Sequence, residues 1–271
     1  MDDKVLHEKQ DLTYLQWSRY RHSSGTAGSF LKAYSDLDGV RRYYKLSSYD
    51  VMKGIVGHES VNEIIADRLL TILGIDHVPY QLILADIVVD DTPLTTYVCV
   101  SNDFKKHGER KVAFDQYYQQ WRKPEETPLD FCQRMGWQDT IDAMLLTDYL
   151  ILNRDRHGAN IEVLKSTKTN ETRLTPLYDH GLSLIFSCQT DDEMNTYDVM
   201  DDKPVQCFVG GRSSLENLKL IQSSPVRQPL KQADKEILLD SLDSVLPEAW
   251  LDKIWTMIWR RWCTYEDMQN H

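Results

Sequence analysis

The stretch "LNRDRHGAN", residues 152–160, decides how this chain is read. It follows the apolar run "AMLLTDYLI" and precedes a second one, "IEVL". Two Asn, one Asp, two Arg and one His are packed into this short gap between segments that look buried. Asn, Asp and Gly are ordinary turn formers, each for its own backbone reason, so a surface turn accounts for the composition alone. A functional reading needs partners elsewhere in the chain.

The bulk composition bounds what those partners can be. The chain has 271 residues, 41% hydrophobic and 27% charged, which suits one large globular unit or two small lobes. No run of about 18 apolar residues occurs, so no membrane span is expected. The opening "MDDKVLHEKQDLTYLQ" is charged and lacks the apolar core of a secretory signal, so a cytoplasmic location is expected. Cys99, Cys132, Cys188, Cys207 and Cys263 form no C-x-x-C pair, and their odd number argues against a disulfide framework or a clustered metal site. A net charge of −11 disfavours direct nucleic-acid binding, yet is compatible with a small anion in a local basic pocket.

Residues 29–47 read as a hairpin, "SFLKAY" and "VRRYYKLS" around "SDLDG". The small-residue loop "HSSGTAGS" precedes it. Residues 59–73, "ESVNEIIADRLLTIL", carry an apolar helical stripe and stop at Gly74. "VPYQLILADIVV" and "TTYVCVS" read as strands around "DDTP". Beyond residue 103 the pattern turns helical, with "FDQYYQQW", "TPLDFCQRMG" and "QDTIDAMLLTDYLILN". Two strands, "NIEVLKS" and "TRLTPLYD", flank "TKTNE". Residues 188–213 read as acidic, irregular and mobile, and "KQADKEILLDSLDSVL" and "EAWLDKIWTMIWRRWCTYEDM" as closing helices. The fold class expected is α+β: a small β-rich lobe over residues 1–102 and a larger α-rich lobe over 103–271.

On this layout the opening stretch finds partners. Asp155 and Asn160 stand five positions apart, the spacing of the base Asp and the metal-binding Asn in a protein-kinase catalytic loop. Downstream, "YDHGLS" places Asp179 before x-Gly, as that pattern requires of its second metal-binding acid. Phosphoryl transfer explains these residue types. Mg²⁺ is a hard ion that takes carboxylate and amide oxygens, here those of Asn160 and Asp179. A further carboxylate, Asp155, orients the attacking hydroxyl and accepts its proton. The upstream lobe must then supply a strand Lys for the phosphates of ATP and a helix Glu to hold it. Lys45 and Glu63 fit, with Glu59, one turn earlier, as the competing partner. Gly25 and Gly28 let backbone N–H groups approach the phosphates, in a loop that also carries Ser24 and Thr26.

These stretches, "SSGTAG", "YYKLS", "VNEIIADRLLTILGI", "NRDRHGANIEVL" and "RLTPLYDHGLS", resemble the HipA-like serine/threonine protein kinases, in the short form without HipA's extra N-terminal subdomain. The likeness runs over roughly residues 23–260 and implies a bilobed kinase-like fold with ATP and Mg²⁺ between the lobes. It implies Asp155 as catalytic base, Asn160 and Asp179 as metal ligands and Lys45 as the phosphate-contacting lysine. Ser23, Ser24 and Thr26 fall in a loop that some members autophosphorylate. The adenine-binding hinge maps to residues 98–103. An antitoxin or other regulatory partner is expected on the same ground. His follows Asp in "DRH", whereas ordinary protein kinases place it before; the HipA-like family shares the reversal, and so do phosphatidylinositol kinases.

The expected activity is ATP- and Mg-dependent phosphorylation of Ser or Thr on a protein, with autophosphorylation included. Two alternatives stay open: a phosphatidylinositol-type lipid or small-molecule kinase, and a nucleotide-binding pseudokinase scaffold. A lipid kinase needs a basic segment after Asp179 to meet anionic headgroups. The segment present, "CQTDDEMNTYDVMDDKP", is acidic and favours a protein substrate. A pseudokinase has usually lost one of the Lys, Asp, Asn and Asp positions, and all are filled here. His157 is read as a support of its loop. Arg154, Arg156 and Arg212 are left between packing and anion contact.

Overall fold

The computed structural model describes residues 4–20, 27–37 and 39–269. The first half is a sheet with one helix across it. Its elements are β1 (Val5–Asp11), β2 (Ser18–Tyr20), β3 (Ala27–Leu37), β4 (Val40–Lys45), β5 (Tyr49–Asp50), β6 (Gly54–Ile55), α1 (Glu59–Leu73), β7 (Tyr80–Val89) and β8 (Thr92–Asn102). Six strands form one sheet in the order β1-β7-β8-β4-β3-β2, and β5 and β6 make a separate small ribbon. The β3–β4 hairpin closes tightly, with Leu37 opposite Val40 and Gly39 at φ 77°. The β7–β8 turn is Asp90-Asp91, both at positive φ, which Asp tolerates better than most residues. Pro93 therefore belongs to β8, opposite Val88, and the strand begins earlier than "TTYVCVS" suggests. β1, unassigned from sequence, lies at the sheet edge and runs parallel to β7.

Side chains alternate across this sheet. Leu31 and Ala33 of β3, Tyr44 of β4, and Ile83 and Ala85 of β7 form one buried face, covered by Leu12 and Leu15. The residues between them, Lys32 and Lys45 among them, point to the opposite face. On that side α1 packs Val61, Ile64, Ile65, Leu69, Leu70 and Leu73 against Leu82 and Cys99. The helix stops where expected, at Gly74 with φ 71°. Its charged residues are buried too, so each needs a partner. Asp67 accepts from Lys4, from His77 and from the Tyr80 amide. Arg68 donates to the carbonyls of Leu238 and Asp240, at 3.2 and 2.7 Å.

The second half is mainly helical. It contains β9 (Glu109–Ala113), α2 (Phe114–Trp121), α3 (Pro128–Arg134), α4 (Gln138–Leu150), β10 (Asp155–Arg156), β11 (Glu162–Ser166) and β12 (Thr172–Leu174). It continues through α5 (Asp191–Thr196), β13 (Gln206–Cys207), α6 (Ser214–Leu218), α7 (Asp234–Leu239) and α8 (Glu248–Gln269). β11 and β12 form the expected hairpin, and β9 adds a third strand beside β11. α3 opens on a capping box, Thr127 with Asp130, and Pro128 in its first turn. α8 buries Trp250, Ile254, Met257, Ile258 and Trp262 as core. Its Arg261 is buried as well and donates to the carbonyls of Tyr149, Val199 and Asp201.

Two sequence expectations need correction. Residues 188–213 are not simply irregular. They contain α5, fixed by a Thr190/Glu193 capping box, and β13, which pairs in parallel with β10. The long helix expected over 231–246 is only α7; Asp240 leaves helical backbone and Ser241 takes φ 60°. Among the described residues no helix is long and apolar enough to cross a membrane.

Candidate active site

In "LNRDRHGAN" each residue meets a specific demand. Leu152 takes φ 47°, which turns the chain out of α4. Asn153 then locks the turn: its Oδ1 accepts from the Asp155 amide at 3.1 Å and its Nδ2 donates to Asp148 Oδ1 at 2.9 Å. The Arg154 amide donates to the Leu182 carbonyl at 3.0 Å. Arg156, only 1% exposed, forms a two-pronged pair with Asp148, Nε to Oδ2 at 2.9 Å and Nη2 to Oδ1 at 2.8 Å. Its remaining nitrogen donates to the carbonyls of Asn160, at 3.2 Å, and Tyr178, at 2.9 Å. Arg156 thus staples the loop to the segment after β12 that carries Asp179. Burial alone works against its charge, but Asp148 more than offsets this and raises the guanidinium pKa.

The second part of the loop closes around Asp155, with Gly158 and Asn160 buried. Asn160 Nδ2 donates to the Asp155 carbonyl at 2.8 Å and to its Oδ2 at 3.2 Å. His157 Nε2 lies 3.6 Å from Asp155 Oδ1, and its Nδ1 accepts from the Ala159 amide at 3.1 Å. A Cβ on Gly158 would stand 2.6 Å from Asp115 Cβ, so the loop passes α2 too closely for a side chain.

Across from this loop, Lys45 reaches from β4. Its Nζ lies 2.6 Å from Glu63 Oε1 on α1 and 2.6 Å from Asp179 Oδ1. Glu63 Oε2 accepts from the His180 amide at 2.8 Å, so this carboxylate ties α1 to the loop after β12. Asn62, one residue before, donates to the carbonyls of Gly181 and Ser183 at 2.9 and 3.0 Å. Burial would lower the Lys45 pKa; Asp179 and Glu63 outweigh it and hold it above its ordinary value, so the lysine is charged. His180 is the reverse case: burial, with Arg156 nearby, pushes its pKa well below the usual range, so it is neutral. A Cβ on Gly181 would meet Lys45 Nζ at 3.0 Å and Glu63 Oε1 at 3.3 Å, which explains a glycine there. Asp179 itself holds φ 59°, a strained setting for a non-glycine residue.

The structure therefore brings together Asp155, His157 and Asn160 in one loop, and Lys45, Glu63 and Asp179 in one charge cluster. Arg156 bridges the two. The open choice between acids on α1 is decided geometrically: Glu59 is occupied by the Ser48 amide at 2.9 Å and its hydroxyl at 2.5 Å, leaving Glu63 with Lys45. Ser24, Gly25 and Thr26 lie outside the described residues; Gly28 is in β3. Residues 98–102 end β8, and the Asp103 amide donates to the Arg41 carbonyl at 2.8 Å. Arg154 donates Nε to the Pro204 carbonyl at 3.1 Å, and Arg212 is exposed. Sequence reasoning missed Asp148 and Asn153 as braces of the loop. It also missed Lys32, whose Nζ lies 3.8 Å from Asp179 Oδ2.

Among the described residues no group of three or more His, Cys, Asp and Glu is placed to hold a metal by itself. Asn160 and Asp179 are hard oxygen donors from two segments. Such a set fits a Mg²⁺ ion that completes its shell with phosphate and water oxygens.

No protein-family model matches the chain, and no curated protein matches it. Among solved structures, the chain matches the crystal structure of the Helicobacter pylori proinflammatory kinase CtkA. The TM-score is 0.61 at 16% identity, with 93% of each chain covered. HipA of Shewanella oneidensis MR-1, solved with HipB and its operator DNA, aligns at a TM-score of 0.42 and 16% identity, over 92% of this chain and 58% of that one. The chain has an α+β, kinase-like fold, as the HipA-like resemblance led us to expect.

Proposed function

We propose that the protein is an ATP- and Mg-dependent phosphotransferase that transfers phosphate to Ser or Thr of a protein. We read the chain as two lobes meeting between residues 102 and 103, with nucleotide held between them. The observation that carries this reading is the Lys45 ammonium held between Glu63 and Asp179 at 2.6 Å each, with Asp155 and Asn160 stapled alongside through Arg156.

In this reading Asp155 accepts the proton of the attacking hydroxyl, and modest basicity suffices for a loose transition state. The Asn160 amide fixes the orientation of that carboxylate through the contact to Oδ2. Asn160 and Asp179 would hold Mg²⁺ together with the nucleotide, and the ion would supply neutralisation of the charge between the transferring phosphates. Lys45 contacts the phosphates, and Glu63 holds its ammonium in place when it leaves Asp179. Asp191, Asp192, Asp198 and Asp201 are exposed in the segment after the site, which supports a protein acceptor with basic residues over an anionic lipid.

The test is incubation of purified protein with γ-labelled ATP and Mg²⁺, alone and with a generic basic protein, beside Asp155→Asn and Asp179→Ala. Label on protein that both variants lose is the expected result. ATP binding without transfer to protein would move the acceptor to lipids or small molecules, and transfer that survives Asp155→Asn would remove the proposed base.

A further inference from the structure

We propose that the surface formed by the end of α2 and the paired strands β9 and β11 docks the acidic segment around α5 of a second copy of this chain. The inference stands apart from the phosphotransfer reading and does not depend on it.

Arg110 of β9 and Lys165 of β11 are direct cross-strand partners. Direct partners in an antiparallel pair project from the same face with Cβ atoms about 5 Å apart, and like charges set in this way destabilise a sheet. Folding therefore does not account for the pair. Lys165 Nζ lies 6.0 Å from the centre of the Trp121 ring, and Trp121 is 51% exposed. Arg122 and Lys123 follow, both exposed. None of these four cations forms an ion pair among the described residues. Neighbouring cations do: Lys111 pairs with Asp103 at 3.1 Å, Arg134 with Glu126 at 2.6 Å and Arg173 with Glu109 at 3.1 Å. Those pairs also occupy Glu109 and Glu126, which leaves Glu125 against four cations in this stretch. Unpaired cations around an exposed tryptophan have the composition of a protein contact, where Trp and Arg are enriched and supply the strongest residues.

The charge of the patch selects its partner. The patch is locally positive on a chain of net charge −11, so the chain itself carries the complement. Asp192 and Asp198 are exposed, and no ion pair holds their carboxylates among the described residues. The segment that presents them is fixed in advance, which lowers the cost of ordering it on contact. α5 is capped by Thr190 and Glu193, Trp250 Nε1 donates to Asp191 Oδ1 at 2.7 Å, and Lys253 donates to the Asn195 carbonyl at 3.2 Å. At physiological salt the Debye length is about 8 Å, so the net charges of two copies are largely screened while charges in contact still attract. Patch and acids are different surfaces, so the contact is head-to-tail and builds rings or open chains. It covers the segment that leads into β13, the strand paired with β10 of the loop 152–160.

The test is sedimentation velocity of the purified chain over a range of concentrations, at about 0.1 M and about 1 M salt, where the Debye lengths are about 10 and about 3 Å. Wild type is expected to associate as concentration rises, and less so at high salt. Arg110→Glu/Lys165→Glu, Asp192→Lys/Asp198→Lys and Trp121→Ala are each expected to weaken association about tenfold or more, the loss on changing a strong contact residue. Thermal unfolding checks that each variant is folded. An equimolar mixture of the two charge-reversed proteins is expected to associate again, since each supplies the surface that the other lacks. Wild type that stays monomeric at every concentration overturns the proposal. So does association that survives both charge reversals, which places the contact elsewhere, and so does a mixture that stays monomeric. A monomeric wild type that co-sediments with phosphatidylserine vesicles, and no longer does so as Arg110→Glu/Lys165→Glu, assigns the patch to a membrane surface instead.

Discussion

Lys45 Nζ lies 2.6 Å from Glu63 Oε1, and Glu63 Oε2 lies 2.8 Å from the His180 amide. One buried carboxylate therefore fixes both the lysine and the backbone beside Asp179. Glu63→Gln is expected to weaken ATP binding and phosphotransfer and to cost about 2 kcal/mol of stability, the range for hydrogen bonds to charged groups. Glu59→Gln, which loosens only the Ser48 turn, is expected to lower stability and leave ATP affinity in place. Urea unfolding and nucleotide titration of both variants check this. A nucleotide defect in Glu59→Gln equal to that of Glu63→Gln would reverse the assignment.

Arg156, inside the loop 152–160, and Asp148 of α4 form a paired charge, and Arg156 is buried. Arg156→Met leaves the Asp148 carboxylate without its cation and is expected to cost about 3–5 kcal/mol. The double variant Arg156→Met/Asp148→Asn is expected to lose less than the sum of the two single changes. Denaturant midpoints of the four proteins in the cycle measure the coupling, and strict additivity would show that the pair is not a unit.

Gly158 passes α2 with room for no side chain, since a Cβ would lie 2.6 Å from Asp115 Cβ and 3.1 Å from Phe208 Cδ2. Gly158→Ala is expected to destabilise by about 1–3 kcal/mol through overpacking. Asp115→Gly in the same chain should restore part of that, even against the roughly 0.5–1 kcal/mol that glycine costs inside a helix. Thermal midpoints decide: a double variant no more stable than Gly158→Ala would place the clash elsewhere.

His58 and His180 are both buried, and burial lowers the pKa of each. Unfolded, each takes its ordinary value near 6.5. Below that pH the unfolded chain binds protons that the fold refuses, so stability falls as pH drops, with a slope approaching about 1.4 kcal/mol per pH unit for each histidine. The loss begins near pH 6.5 and grows toward pH 5. Urea midpoints at pH 7.5 and 5.0 should differ less in His58→Gln/His180→Gln than in wild type. Equal differences in the two proteins would assign the acid sensitivity to other groups.

How much of this was legible in the sequence depended on whether a signal was local. The spacing of Asp155 and Asn160, the x-Gly after Asp179 and the stop at Gly74 are local, and they placed loop and helix well. Lys45 and Glu63 were legible as a strand Lys and a helix Glu, but only packing chose Glu63, because Glu59 shares its face and differs by its contact with Ser48. Arg156 was illegible because its partner, Asp148, sits inside the apolar run of α4, where one acid carries no visible direction. Lys32 required the hairpin register, which composition does not give. The capping box before α5, "TDDE", was a readable signal hidden by the acidity around it. The length of α7 was overread because nothing in "LLDSLD" announces positive φ at Ser241.

The parallel pairing of β1 with β7 also sets an order of assembly. Val5 finds its partner in Leu82, after β3, β4 and α1 have all been made. During synthesis the first strand leaves the ribosome long before the strand it needs, and closing so long a loop is slow compared with forming the β3–β4 or β7–β8 hairpin. Lys4, just before β1, completes the ion pair with Asp67 in the middle of α1. The central sheet and α1 can therefore collapse first, and docking of the early strand is a late step that caps the sheet edge and shields a template for aggregation.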